Sequence, residues 1–450
     1  MHPSPSGLSR RRLLSSAALS GAGLPSWMPR LAFRSEASGP SRDVLVCLFQ
    51  RGGMDGLSAV VPYEEPRYFE LRPQIAFRAP KAGDASAIIP LDAQFGLAPA
   101  LSGLKSIWDD GHLAVVHATG SPHGSRSHFE AMGYMERGTA GDKGLSTGWL
   151  GRHLDASAGD GDTPFRAIGF GSGLPMSLRG PFPAASLRSI AEFHLKGRED
   201  ELARFKRDLE ALWCGDDWLS EDTRATFEAL AMLEKANPLQ YQPANGATYP
   251  ATDLGQGLKQ IAQLIKADLG LEVACIDIGG WDTHVNQVWV NNDPNRGMMY
   301  NLLQKLDQAI MAFYRDLGQR FVDPGVTLVT MSEFGRRVAQ NAGNGTDHGE
   351  GSCMFVVSGA ANRGVHTDWP GLEPEDLAQG EDLAITVDYR DVLGELLVGR
   401  MGNGRLDRIF PGYAPRMRGV VRHRADAPDP SDGSAGGRAL QVYLPFVGNR

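Results

Sequence analysis

Acidic residues and histidines recur together in short, glycine-rich segments of this chain. Asp282 and His284 stand in IDIGGWDTH, and Asp347 and His348 stand in NGTDHGEG. Carboxylates and imidazoles are donors that suit Zn²⁺ and Mn²⁺, and carboxylates also bind Mg²⁺ or Ca²⁺. The simpler alternative is an aspartate that caps a helix beside a solvated histidine. The candidate metal ligands are Asp55, Asp282, His284, Glu333, Asp347 and His348.

A second segment, SPHGSRSHFEAM, carries residues that could attack or hold a substrate. Ser125 and Ser127 precede a helical pattern, and the N-terminus of a helix stabilises developing negative charge. Arg126 could bind an anionic group through two donors, and His128 completes this set of candidate catalytic residues. The alternative for either serine is a helix cap without a catalytic role. The two serines and the two roles stay open at this point.

Apolar, strand-like runs must position these segments, because each candidate segment follows one of them. Amphipathic helical patterns separate the runs, and the longest repeats apolar residues at three- and four-residue steps between positions 303 and 317. This alternation predicts an α/β fold, with a mostly parallel sheet and helices on both faces. In such sheets, ligands bind beyond the carboxyl ends of the strands. The strand-like runs cover residues 43–49, 112–118, 272–278, 326–332 and 353–359.

The composition of the chain divides it into three parts. Residues 1–37 contain SRRRLLSSAALSGAGL, where consecutive arginines precede an apolar stretch too short to span a bilayer. This pattern predicts a twin-arginine signal peptide, contact with the twin-arginine translocase during export, and a periplasmic or secreted protein. A disordered basic arm is the alternative. Residues 38–424 are predicted to form the α/β domain, with a helical cap or insertion at 151–250, and residues 425–450 a linker and C-terminal tail.

Composition and charge argue against several classes of function. Hydrophobic residues make up 42% of the 450 residues, enough for a sizeable core. The formal charge of -8 argues against nucleic acid as a partner, and no run after the signal is apolar and long enough for a transmembrane segment. Four cysteines are too few for a disulfide framework, and Cys47, Cys275 and Cys353 stand in apolar runs typical of buried residues.

Five motifs in a fixed order resemble the bacterial domain-of-unknown-function 1501 family, which is grouped with the alkaline phosphatase and sulfatase superfamily. The resemblance covers about residues 42–402 and implies an alkaline phosphatase/sulfatase-like fold. The absence of a Cys-x-Pro-x-Arg sequence excludes the formylglycine mechanism of sulfatases in its usual form. The motifs are CLFQRGGMDGLS, LAVVHATGSPHGSRSHFEAM, IDIGGWDTH, MSEFGRR and GTDHG.

The superfamily resemblance also implies roles for individual residues. Asp55, Asp347 and His348 match the ligands of one metal ion. Asp282 and His284 look similar to the ligands of a second ion, although their spacing is closer than is usual in the superfamily. A further coordination position could be filled by a glutamate, and the nucleophile would be a serine at the start of the helix after the second strand. The residues at these last positions are Glu333, Ser127 and Ser125.

These observations together predict an exported, metal-dependent hydrolase of a phosphate or sulfate ester, either a small molecule or a polysaccharide. One or two divalent ions, Zn²⁺, Mn²⁺, Mg²⁺ or Ca²⁺, would be the cofactors. Two alternatives from other classes stay open. One is an exported metal-binding scaffold or partner protein without catalysis, and the other is an enzyme of a different metal chemistry.

Overall fold

A mixed sheet of nine strands forms the centre of the protein, described here from a computed structural model. The structure describes residues 43–157, 163, 165–182, 184–190, 240–289 and 293–428. A second, small sheet has three strands, β2, β3 and β4 in the list that follows. The strands are β1 (Val44–Gln50), β2 (Val60–Pro62), β3 (Ile89–Pro90), β4 (Phe95–Leu97), β5 (Leu113–Gly120), β6 (Ala167–Phe170), β7 (Ala185–Leu187), β8 (Val273–Ile278), β9 (Val326–Met331), β10 (Ser352–Ser358), β11 (Gly364–His366) and β12 (Val387–Asp388).

The order of strands in the main sheet is β11-β5-β10-β9-β1-β8-β6-β7, with β12 paired to β5. Strand β1 is parallel to both β8 and β9, and β6 is parallel to both β7 and β8. Strand β10 is the exception, because it runs antiparallel to β5 and β9. The predicted α/β fold with a mostly parallel sheet is therefore confirmed.

Helices cover both faces of the main sheet, as predicted. Along β1, Val46 and Leu48 pack into one hydrophobic core, whereas Cys47 and Phe49 pack into the other, because alternate side chains point to opposite faces. Helices α3, α6 and α7 bury residues in the first core, and α5 and α8 bury residues in the second. The helices are α1 (Gly56–Ala59), α2 (Pro66–Leu71), α3 (Ser102–Asp109), α4 (His128–Arg137), α5 (Trp149–Ala156), α6 (Asp253–Lys266), α7 (Met298–Leu317), α8 (Tyr389–Gly399) and α9 (Leu406–Ile409).

One edge of the main sheet collects the candidate segments. The carboxyl ends of β1, β8 and β9 are aligned, since Gln50 pairs with Ile278 and Phe49 pairs with Met331. Strand β5 runs in the same direction as β9, because both are antiparallel to β10. Strand β10 therefore begins at this edge, and the residues just before it reach the same place as the segments that follow the other four strands.

The region predicted to be a helical cap belongs in part to the main sheet. Within 151–250, β6 and β7 extend the sheet beyond β8, and α5 packs on one face. These strands have four and three residues, too few for a clear apolar pattern. The charged segment at 191–239, which the sequence predicts to be helical, lies outside the described residues, as do the predicted signal peptide and the tail from residue 429.

A buried histidine in β5 is held as a neutral ring. Nε2 of His117 donates to the carbonyl oxygen of Val60 at 2.9 Å, and Nδ1 accepts from the N–H of Ala118 at 2.7 Å. Burial lowers the pKa of His117 to about 4. A proton on Nδ1 would remove the acceptor that the N–H of Ala118 requires, so the folded protein disfavours protonation of His117.

Two further expectations from composition can be compared with the structure. Cys47, Cys275 and Cys353 are buried and unpaired, which confirms that they pack as small apolar residues. In the part of the chain that the structure describes, no helix combines the length and apolar character needed to cross a membrane.

Candidate metal centre

Three histidines and one aspartate converge beyond the carboxyl ends of the strands. Nε2 of His348 lies 3.2 Å from Oδ1 of Asp282, and Nε2 of His128 lies 3.5 Å from the same oxygen. Nε2 of His284 lies 3.2 Å from that oxygen and 2.9 Å from Nε2 of His348. The ligand atoms of His128, Asp282 and His348 all lie within 4.8 Å of one another. We call these four residues the candidate metal centre.

The other ring nitrogen of each histidine binds an acceptor that fixes its orientation. Nδ1 of His128 donates to Oε1 of Glu333 at 2.7 Å, and Nδ1 of His284 donates to Oδ1 of Asp347 at 2.9 Å. Nδ1 of His348 donates to the backbone carbonyl of Arg126 at 2.9 Å. Because a carboxylate or carbonyl oxygen can only accept, each Nδ1 carries a proton, and each Nε2 of a neutral ring presents a lone pair to the centre. Histidines that bind metal ions are oriented in this way.

The donor set fits a cation. Three acceptors, Nε2 of His128, Nε2 of His348 and Oδ1 of Asp282, lie within 4.8 Å of one another, and Nε2 of His284 adjoins the last two. Nε2 of His128 is buried without a hydrogen-bond partner among the described residues. Burial lowers the pKa of His348, which keeps the ring neutral and able to bind a metal. Burial alone would raise the pKa of Asp282, but the hydrogen bond and the positive charge of Arg336 lower it to about 2. A proton or a metal ion at the centre relieves the repulsion among these acceptors.

A buried arginine joins the loops that carry the centre. The guanidinium of Arg336 donates to Oδ1 of Asp282 at 2.7 Å and to the carbonyl oxygen of Trp281 at 3.1 Å. It also donates to the carbonyl oxygens of Gly53 at 2.7 Å and Thr346 at 3.0 Å. Arg336 thus connects the loop after β1, the loop after β8 and the segment before β10, and it holds Asp282 in place.

A glycine allows the loops after β1 and β8 to approach closely. Gly52 has a φ of +123°, and a Cβ at this position would lie 2.5 Å from the backbone nitrogen of Asp282. Any larger residue would therefore strain the loop and displace Asp282. The N–H of Gly52 donates to Oε1 of Glu333 at 2.8 Å, the same oxygen that orients His128. Gly52 thus allows the close approach of backbones on which the position of Asp282 depends.

The serines and the arginine of SPHGSRSHFEAM lie next to the centre in sequence. Oγ of Ser125 donates to Oε2 of Glu130 at 3.0 Å, so this hydroxyl is already engaged. Ser127 is exposed at the start of α4, and its side chain makes no capping hydrogen bond. The guanidinium of Arg126 donates to Oδ2 of Asp382 at 2.7 Å and remains 31% exposed. The side chain of Ser127 therefore does not cap α4 in the structure.

Asp55 is separate from the candidate metal centre. Its carboxylate accepts two hydrogen bonds from Arg72, at 2.7 and 3.0 Å, and one each from Ser58 and Gln287 at 2.7 Å. Both members of the ion pair are buried, at 0% and 1% exposure. Burial alone would raise the pKa of Asp55, but the charge and hydrogen bonds of Arg72 lower it. The sequence predicts Asp55 as a metal ligand, but in the structure its carboxylate forms a buried ion pair with Arg72 instead.

The structure assigns other roles to several residues that the sequence singled out. His128, a candidate catalytic residue, is one of the converging groups, whereas Glu333 and Asp347, candidate ligands, orient His128 and His284. Sequence reasoning missed Arg336. The pair of arginines in SEFGRR, directly after a strand, is the only sequence signal that pointed to it.

Comparisons with known proteins identify the family of the chain. A family model described as "Protein of unknown function (DUF1501)" matches residues 112–402, and no curated protein matches the chain at a significant level. Among solved structures, the lipoteichoic acid synthase LtaP from Listeria monocytogenes is 8% identical over 76% of this chain and 70% of that chain, with a TM-score of 0.24. A similarity this slight carries no argument about chemistry. The family match spans more than half of the sequence, and the chain belongs to the DUF1501 family.

Proposed function

We propose that this protein is an exported, metal-dependent hydrolase of a phosphate or sulfate ester, with one divalent cation at the candidate metal centre. The observation that carries the proposal is the convergence of three Nε2 atoms and Oδ1 of Asp282, with Nε2 of His128 buried and unpartnered among the described residues. A donor set of three imidazoles and one carboxylate favours Zn²⁺ or Mn²⁺ over Mg²⁺ and Ca²⁺, which prefer oxygen ligands. When bound, such a cation supplies Lewis-acid polarisation of an ester oxygen.

The exposure of the centre supports access by a substrate. The side chains of Asp282 and His284 are 49% and 40% exposed, whereas Glu333 and Arg336 behind them are buried. The centre thus has a rigid, buried rear and an open front. Carboxylate and imidazole groups held from behind in this way keep their positions when a ligand binds.

Ser127 is the better of the two candidate nucleophiles. It is exposed at the N-cap position of the ten-residue helix α4, directly before His128, and its hydroxyl makes no capping hydrogen bond. The N-terminus of α4 would stabilise an oxyanion, and the exposed guanidinium of Arg126 retains donors for an anionic group. Ser125 is the weaker candidate because its hydroxyl already donates a hydrogen bond to Glu130.

A metal-binding scaffold without catalysis is the second candidate function. The observation that favours it is the buried ion pair of Asp55 and Arg72, which leaves a single cluster of possible ligands in the described chain where the resemblance implies up to two ions. A scaffold requires the cation but neither serine.

Metal content and ester cleavage distinguish the two functions. The full chain, stripped with a chelator, is dialysed against Zn²⁺, Mn²⁺, Mg²⁺ or Ca²⁺, and each loaded form is assayed with phosphate and sulfate esters. We expect one Zn²⁺ or Mn²⁺ per chain, with turnover that His348→Ala abolishes together with metal binding. His366→Ala is the matched control, because that ring donates to the carbonyl oxygen of Asn362 outside the centre. Metal binding without turnover of any ester would favour the scaffold.

The export part of the proposal rests on the consecutive arginines and short apolar stretch within residues 1–37. Export by the twin-arginine route carries folded proteins, so the centre would be assembled before export. Fractionation of cells that express the full chain tests it, since the protein is expected in the periplasm or medium.

A further inference from the structure

A buried phenylalanine packs against two histidines of the candidate metal centre. The ring centroid of Phe334 lies 4.8 Å from that of His128 and 4.7 Å from that of His348. The two histidine rings lie 4.5 Å from each other, so the three rings contact one another in pairs. Phe334 belongs to the loop that follows β9, and its side chain is buried. Its ring therefore forms part of the immediate surroundings of the converging nitrogen atoms.

The backbone of the loop after β1 also lies against the ring of Phe334. Gly53 has a φ of +68°, and a Cβ at this position would lie 2.5 Å from Cε2 and 2.7 Å from Cδ2 of Phe334. The carbonyl oxygen of Gly53 accepts from Nε of Arg336 at 2.7 Å, so this stretch of backbone is itself held in place. The ring of Phe334 thus contacts fixed backbone as well as two imidazoles, and close packing of this kind leaves it little freedom to shift.

The contact with Phe334 supplies a constraint that the hydrogen bonds of the two histidines leave open. Nδ1 of His128 donates to Glu333 at 2.7 Å, and Nδ1 of His348 donates to a backbone carbonyl at 2.9 Å. A single hydrogen bond fixes one atom of each ring and leaves the ring free to swing about that atom. Packing against Phe334 restricts this swing and keeps the two Nε2 atoms at 3.5 and 3.2 Å from Oδ1 of Asp282. Groups that orient the ligands in this way set the affinity of a metal site.

We infer that Phe334 is a positioning residue that makes the candidate metal centre select Zn²⁺ over Mn²⁺. The inference rests on the metal-binding part of the proposed function and is independent of ester hydrolysis. The ligand atoms of His128, Asp282 and His348 lie within 4.8 Å of one another, and a small ligand shell at fixed, close spacing suits four-coordinate Zn²⁺. Mn²⁺ prefers an octahedral shell rich in oxygen, which requires room for additional water ligands. Without the ring of Phe334, the imidazoles are free to spread and to accept such a shell.

Metal affinities and the visible spectrum of the Co²⁺-loaded full chain test this role without requiring turnover. Affinities for Zn²⁺ and Mn²⁺ are measured by competition with a chelator. We expect Phe334→Leu to bind Zn²⁺ about 10–100-fold more weakly than the parent, with a lower ratio of zinc to manganese affinity. The Co²⁺ spectrum should change from the intense absorption of a four-coordinate ion to the weak absorption of a six-coordinate ion. Phe313→Leu is the matched control, because Phe313 is also buried and contacts another ring, that of Phe321, at 6.4 Å within the hydrophobic core.

Each contrary outcome has a distinct meaning, once thermal unfolding of the metal-free proteins shows which variants fold. Parent affinities and an unchanged Co²⁺ spectrum in folded Phe334→Leu would overturn the positioning role alone. Equal changes in Phe313→Leu would also overturn it, because they would reflect a general loss of stability. No zinc binding in the parent would overturn the metal centre of the proposed function and the role of Phe334 with it. If Phe334→Leu does not fold, Phe334→Met takes its place, and failure of both to fold would make Phe334 a core residue and overturn the inference.

Discussion

Replacement of Asp55 by alanine should destabilise the protein strongly without removing a bound metal ion. The change leaves the guanidinium of Arg72 buried, at 0% exposure, without the carboxylate that accepts from it at 2.7 and 3.0 Å. Removing one member of a buried ion pair lowers the free energy of unfolding by about 3–5 kcal/mol. For a domain of this size, the melting temperature should fall by about 5 °C, because the entropy of unfolding grows with chain length. Ser58 and Gln287 would lose an acceptor as well, so the loss of stability should lie toward the upper end of that range.

Thermal and denaturant unfolding of the metal-free protein measure the stability, and elemental analysis after dialysis against Zn²⁺ measures the metal. The double variant Asp55→Ala/Arg72→Met is the control, and its loss should be smaller than the sum of the two single losses, because it leaves neither charge unpaired. The reasoning is refuted if Asp55→Ala loses zinc while the metal-free protein keeps its parent stability. Asp55 would then be the ligand that the superfamily resemblance implies.

Three further predictions concern acid stability, the nucleophile and export. Burial lowers the pKa of His117 to about 4 from its usual 6.5, so the unfolded chain binds the proton first as the pH falls, and stability decreases by about 3 kcal/mol between pH 6.5 and 4. In His117→Gln, the melting temperature should decline less over that pH range than in the parent. An identical decline would contradict a buried, neutral His117. In an active enzyme, Ser127→Ala should lower turnover by several orders of magnitude with zinc retained, whereas Ser125→Ala should change it little; the reverse pattern in steady-state assays would exchange their roles. Replacement of Arg10, Arg11 and Arg12 by lysine should retain the protein in the cytoplasm by cell fractionation, and normal export would refute the twin-arginine signal.

The fold was predictable where elements are long and periodic. The five longest strands and α7 coincide with the apolar runs and the helical repeat, because burial on both faces or on one stripe leaves a regular pattern. Strands β6 and β7 were missed, since three or four residues carry too little pattern. The antiparallel direction of β10 depends on how the connecting loops pack, which its own apolar sequence does not encode.

The location of the site was predictable, but the roles of its residues were not. Acids and histidines that follow parallel strands must meet at one edge, and the structure brings Asp282, His284 and His348 together there. In sequence, a carboxylate that binds a cation looks the same as one that accepts from an imidazole, as Glu333 does. The partner of Asp55 is an arginine 17 residues away, and only the folded chain shows that the two are paired.

The stoichiometry of bound metal tests the central claim most directly. The full chain should be stripped with a chelator, equilibrated with Zn²⁺ and analysed for metal per chain, alongside His128→Ala, His348→Ala and the control His366→Ala. We predict one zinc ion per chain in the parent and in His366→Ala, and a large loss in the other two variants, since both rings direct Nε2 toward Asp282. No bound metal in the parent, or full zinc content in both His128→Ala and His348→Ala, would contradict a metal centre at these residues.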